Sequence, residues 1–157
     1  MTSTTETISV TRELTIDARP EAVWEFLVDP EKMIRWMGVS ASLEQRAGGA
    51  YRVGVVPGHT ASGTVAKIEP ARRLVLTWGW EPVDGEPPPA VPPGSSTVEL
   101  ELFAEGAGTR LVLTHRDLPS GEAADSHTRG WEHYLPRLVT VAAGGDPGRD
   151  PWLDPEA

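Results

Sequence analysis

Two histidines stand where proton chemistry could be done. His115 follows Thr114 near the end of a strand-like run, and His127 lies one turn ahead of Trp131 in a long helical pattern. An imidazole titrates near neutrality, so either could orient a ligand or move a proton; the structural alternative is a hydrogen-bonded core or edge histidine. A metal centre is not expected. His127 and His133 are six apart, roughly 600° around a helix, and so point in different directions. His59 sits in a turn, HExxH is absent, and the chain contains no cysteine. The same lack excludes disulfides and thiol nucleophiles. No GxSxG is present, and no serine or threonine has a base beside it in sequence. Glu99 and Glu101 share one strand face opposite Leu100 and Leu102 and are expected to be solvated, while Arg129 and Glu132 read as an exposed helix pair. Gly48-Gly49 and Gly106 to Gly108 read as hairpin turns and not as phosphate cradles. No cofactor is therefore expected.

The bulk properties narrow the rest. The chain has 157 residues, one ordinary domain's worth, and a formal charge of −9, which disfavours nucleic acid as a partner. The first residues lack a basic and apolar leader, and no run approaches the length of a membrane span. A cytoplasmic location with no membrane insertion is the expectation. Six tryptophans against two phenylalanines and two tyrosines favour thick cores or pocket walls.

The elements that must position these side chains follow from periodicity. A strand is expected at Ile8–Ile16, with Ile8, Val10, Arg12, Leu14 and Ile16 on one face. A short helix follows, starting after Asp17 or Ala18, with Pro20 in its first turn. Asp29-Pro30 ends it, and a second helix is expected over Glu31–Met37. Strands are expected at Val39–Arg46, Ala50–Val56, His59–Glu69, Arg73–Trp80, Ser96–Glu105 and Thr109–Arg116. Residues 81–96 hold six prolines and read as a solvated hairpin excursion. From a Ser120 N-cap a helix is expected to about Ala143. Trp131, Leu135, Leu138 and Ala142 form its stripe, Tyr134 and Val141 broaden it, and Pro136 is expected to kink it. Residues 1–7 read as a flexible N-terminus, 8–143 as one domain, and 144–157 as a tail with Trp152 as its one anchor. The fold class is α+β: a bent antiparallel sheet of six or seven strands gripping a long C-terminal helix, with two short helices after the first strand.

Several segments carry a family resemblance. RPEAVWEFLVDPEKMIRWMG resembles the opening helices of START-like (SRPBCC) proteins. GTVAKIEPARRLVLTWGW, TVELELFAEGAGTRLVLTHRDLP and GWEHYLPRL resemble the bacterial AHSA-like branch, named after the C-terminal domain of the Aha-type activator of a heat-shock ATPase. The resemblance spans roughly residues 8–143 and implies a helix-grip fold. Pro136 departs from the pattern, which commonly places a polar helix former there. The superfamily includes ligand carriers, polyketide cyclases and aromatases, lipid-transfer domains and co-chaperone modules.

Residues resembling the family's cavity-facing positions are Tyr51, Val53, Val55, Leu76, Trp78, Trp80, Leu100, Leu102, Leu113 and His115 on strands. Met33, Trp36 and Met37 would sit at the mouth, with His127, Trp131, Tyr134, Leu135 and Leu138 as the lid. Three functions stay open: a container for a small apolar or aromatic ligand, a cyclase-like enzyme moving protons on His115, Tyr51, Tyr134 or His127, and a co-chaperone-like module. The last lacks the extra N-terminal domain of the eukaryotic activator. An exposed edge strand would allow a homodimer.

Overall fold

The computed structural model describes residues 8–153. The expected flexible N-terminus and the last four residues of the tail lie outside them. Seven strands form one antiparallel sheet: β1 (Ile8–Ile16), β2 (Ser40–Leu43), β3 (Ala50–Val56), β4 (His59–Glu69), β5 (Arg73–Trp80), β6 (Ser96–Glu105) and β7 (Gly108–Leu118). Their spatial order is β1-β7-β6-β5-β4-β3-β2. The strands after β2 follow one another as neighbouring hairpins, and β1 closes onto the last of them. The helices α1 (Pro20–Val28) and α2 (Pro30–Met33) carry the chain from one edge of the sheet to the other. The long helix α3 (Gly121–Ala142) then returns across the sheet and α1. This is the α+β helix-grip architecture.

Local chemistry explains where the boundaries fall. Asp29 leaves α1 in an extended conformation and accepts a hydrogen bond from the Glu31 N–H with its side chain, so it ends one helix and caps the next. The cap of α1 is Arg19, without a side-chain bond, and not Asp17 or Ala18. The second helix is shorter than expected. It gives way after Met33 to single turns that still bury Trp36 and Met37 but expose Ile34. β2 is confined to Ser40–Leu43, because Glu44 turns the chain by accepting the Ala50 N–H with its carboxylate. In β1 a register shift between Ile8 and Val10 turns Ile8 outward, off the face it was expected to share. α3 begins as expected, with Ser120 Oγ accepting the Ala123 N–H, and its helical stretch is not interrupted at Pro136.

Three further expectations change. The Pro-rich segment is not simply solvated: Val91 is buried with Val10, Leu118, Ala123 and Ala124, and its carbonyl accepts the Trp80 N–H at 2.7 Å. Close approach at Gly79 makes this possible, since a Cβ there would lie 1.7 Å from the Pro92 carbonyl oxygen. Glu99 is not solvated. Its side chain is 12% exposed and is held between Arg73 and Arg116. Burial raises its carboxyl pKa, but the guanidiniums of Arg116 and Arg73 more than reverse that, leaving it below the ordinary range. Glu132 pairs across to Arg12 of β1 at 2.8 Å and not to Arg129, tying α3 to the sheet edge.

The chain beyond α3 folds back. Arg137 donates to the carbonyls of Trp36, Pro147 and Gly148. Asp150 is buried, and its Oδ1 accepts from the Trp152 N–H and lies 2.7 Å from His133 Nε2. Trp152 stacks on the His133 ring at 3.7 Å, nearly parallel to it. Among the described residues no helix is long and apolar enough to cross a membrane.

Candidate functional site

The stripe of α3 meets two different surroundings. Toward its C-terminal half, Leu135 and Leu138 pack with Leu74, Leu100, Leu102, Leu111 and Leu113 in a close-packed core. Beside residues 126–134 of the helix, next to these contacts with the sheet, lies an open cleft of about 280 Å³. Met37, Val55, Val56, His59, Trp78 and Trp80 line one side; Ser126, His127, Gly130, Trp131 and Tyr134 line the helix side, with Trp152 at the mouth. A second open space of about 340 Å³ shares His59, Trp80, Ser126 and His127 and has the Pro-rich segment as its outer wall.

The expected wall therefore divides. Met37, Val55, Trp78, Trp80, His127, Trp131 and Tyr134 reach the cleft. Met33, Trp36, Tyr51, Val53, Leu76, Leu100, Leu102, Leu113, His115, Leu135 and Leu138 are buried and do not line it; all but His115 join the main apolar core. Val56, His59, Ser126, Gly130 and Trp152 line the cleft without having been named as wall. Helix spacing was the available signal for two of them: Ser126, Gly130 and Tyr134 follow one another at i, i+4. For His59 and Trp152 only the tertiary fold brings them there.

The polar groups around the cleft fall into two sets. In the first, every atom has a partner. Trp131 Nε1, which can only donate, gives its proton to His115 Nδ1 at 3.1 Å. The imidazole proton is then on Nε2, which donates to Ser96 Oγ at 2.8 Å, and that hydroxyl donates to the Trp78 carbonyl at 2.8 Å. Burial, and then the neighbouring His127, pull the His115 pKa down to about 3. His127 is fixed the same way: its Nε2 accepts from Trp80 Nε1 at 3.1 Å, and Nδ1–H donates to the Ala123 carbonyl at 2.7 Å. Burial lowers its pKa, with the Ala123 bond acting in the opposite sense. The two rings meet edge to face, 4.7 Å between centroids. Ser96 beside His115 has the look of a nucleophile and its base, but both are fully buried and the serine proton points at a carbonyl.

In the second set the atoms are unmatched. The Tyr51 hydroxyl, Trp78 Nε1 and the Tyr134 hydroxyl are buried without a hydrogen-bond partner among the described residues. Tyr51 stacks on Trp78 at 5.9 Å and Trp78 packs on Trp131 at 5.4 Å, whereas Tyr134 meets His133 and Trp152. Burial raises the Tyr51 phenol pKa, and burial followed by the Asp150 charge raises that of Tyr134. Both phenols stay protonated and remain donors. Among the described residues no three His, Cys, Asp or Glu side chains converge to hold a metal ion.

The chain matches the family described as Activator of Hsp90 ATPase homolog 1-like protein over residues 17–143. Among solved structures it is similar to an AHSA1-like protein from Rhizobium etli, with 45% identity over 97% of this chain and 92% of that one, at a TM-score of 0.75. CalU16 from Micromonospora echinospora is 31% identical over 87% of this chain and 76% of that one, at a TM-score of 0.67. DynU16, a protein in the dynemicin biosynthetic locus, shares the fold at 23% identity, with a TM-score of 0.72, over 90% of this chain and 50% of its own. No curated protein matches. A family match over most of the chain, on a helix-grip architecture, places this protein in the Activator of Hsp90 ATPase homolog 1-like family of the START-like fold.

Proposed function

We propose that the protein takes up a small hydrophobic or aromatic molecule in the cleft between the sheet and the N-terminal half of α3. The observation that carries this is the composition of the cleft wall: Trp78, Trp80, Trp131, Tyr134 and Trp152 with Met37, Val55 and Val56. A concave, mainly apolar surface with a few polar atoms is what a small-molecule site requires. The polar groups support a container over a catalyst. Both imidazoles have their ring nitrogens engaged and are held neutral, and both phenols are held above their usual pKa. A cyclase-like activity would have to find its base elsewhere. DynU16, whose gene lies in a biosynthetic locus, is similar in fold alone and does not carry its role over.

The test is a thermal-shift screen of planar aromatic and aliphatic compounds, read alongside tryptophan emission. A ligand present at a hundred times its Kd stabilises the folded state by about 2.7 kcal/mol. Binders should raise the melting temperature and shift or quench emission, because four of the six tryptophans line the cleft. If no compound moves either signal, the small-molecule reading fails.

A further inference from the structure

Residues 144–153 form a strap that turns back along α3, starting at Gly144 with φ +93°. Burial of hydrocarbon is the main force that docks such a segment, yet the one side chain the strap buries is a carboxylate, Asp150, at 4% exposure. Taking a charge out of water is unfavourable unless it is paired and fully hydrogen-bonded. The pairing of Asp150 is incomplete. Its Oδ1 accepts from the Trp152 N–H and from His133 Nε2, while its Oδ2 has no partner among the described residues. The rest of the hold is polar or stacking and falls on the next turn of α3. Arg137 donates to the Pro147 and Gly148 carbonyls, and Trp152 lies face to face with His133.

Desolvation of the carboxylate works against these bonds, and few apolar contacts add to them, so the docked strap belongs to the low end of local stability. Its place gives an opening there a consequence. Trp152 lines the mouth of the cleft and meets Tyr134 edge to face, 5.5 Å between centroids. Gly148, Arg149, Asp150 and Leu153 line a separate space of about 210 Å³. Met37, 5% exposed, lines both that space and the cleft. Lifting the strap removes a wall from each. Asp150 does not itself line the cleft, so it can act on the cleft only through the strap.

We propose that residues 144–153 are a releasable lid on the cleft, with the His133–Asp150 pair as its catch and Trp152 as the edge that closes the mouth. Closed, the lid shields Met37 and Tyr134; open, it widens the entrance. It rests on the small-molecule reading above only for what passes through, because the opening itself is a property of the chain without ligand.

Hydrogen peroxide tests this, because it converts an accessible methionine to the sulfoxide and the chain carries its own control. Met37 lines the cleft, whereas Met33, 4% exposed, packs in the main core and lines neither space. Both are followed by peptide mass spectrometry in the full-length natural protein, in Asp150→Ala and in His133→Phe. The phenyl ring keeps a surface for Trp152 to stack on and removes the bond to Asp150. Each variant should oxidise Met37 about tenfold faster than the natural protein, the worth of one hydrogen bond to a charged group, with Met33 unchanged. An unchanged Met37 rate in either variant overturns the lid. So does a rise shared equally by Met33, which marks loosening of the whole fold. The neutral dye N-phenyl-1-naphthylamine judges the small-molecule reading in the same samples. Where it binds, Asp150→Ala should speed its association and its dissociation by a similar factor and leave Kd nearly unchanged. A bound dye whose rates do not move overturns the lid. A dye that binds none of the three proteins counts against the small-molecule reading, and the oxidation of Met37 then decides the lid alone.

Discussion

The two halves of α3 do opposite things with the same amphipathic pattern. Around Leu135 and Leu138 the helix lies on a leucine-rich floor in which side chains are 0–6% exposed. Around His127, Trp131 and Tyr134 the sheet supplies the rigid indoles Trp78 and Trp80, and an open cleft lies beside them. Leucines interlock at core density, whereas the rings meet edge to face or tilted. Trp78 and Trp80 stand at 88° to one another and Trp78 and Trp131 at 51°. The floor holds the fold together; the aromatic end gives up packing and keeps unmatched donors.

The comparison can be broken by mutation, and the largest effect is expected in the floor. Leu135→Ala, at a 1% exposed site, should destabilise by about 2–5 kcal/mol in denaturant unfolding. It should leave the affinity of the remaining folded protein for an aromatic probe nearly unchanged. Next comes His115→Ala, which strands the Trp131 N–H in the interior and takes from Ser96 Oγ the bond it accepts, while its donation to the Trp78 carbonyl remains; about 1–3 kcal/mol is expected.

The same histidine gives an acid response of definite sign. In the unfolded chain it takes a proton below about 6.5, but in the folded protein only near 3, so the unfolded state holds the extra proton between those values. Stability is full above about pH 6.5 and falls as the pH drops through that window, by at most ~1.4 kcal/mol per pH unit for this group. Lowered pKa values at His127 and, further down, at Glu99 act in the same direction. Unfolding free energies at pH 7 and pH 5 check this, and His115→Leu should flatten the slope. A protein equally stable at both values would contradict the buried, neutral imidazole.

Glu99→Gln removes the anion between Arg73 and Arg116 on the outer face of the sheet. With the arginines still about a third exposed, the loss should be about 1 kcal/mol, measured in the same unfolding series. Smallest for stability is Trp152→Ala. Its ring is 46% exposed and rests on His133, so unfolding should change by less than about 1 kcal/mol while probe uptake at the mouth changes measurably. If Trp152→Ala were as destabilising as Leu135→Ala, the division between floor and cleft would be wrong.

Much of this architecture is legible in the residue order. Alternation in Arg73–Trp80 and Ser96–Glu105 and the Ser120 cap place those elements within a residue or two, because local backbone and face preferences decide them, whereas α2 and β2 end three or four residues early. The stripe Trp131, Tyr134, Leu135, Leu138 is likewise a property of helical period alone. What periodicity cannot give is depth. It names an inward face without saying whether that face meets another side chain or open space, which is why eleven expected wall residues lie packed in the interior. Long-range partnerships are equally silent in one dimension: His115 receives Trp131 across sheet and helix, Val91 returns from a proline-rich loop to pack on α3, and Trp152 comes back from beyond the helix to the mouth of the cleft. Which faces are apolar and which elements exist can be read from residue order, since both follow from neighbours a few residues apart. Which polar atoms find partners is settled in three dimensions, because it depends on groups tens of residues distant meeting within a hydrogen bond's length.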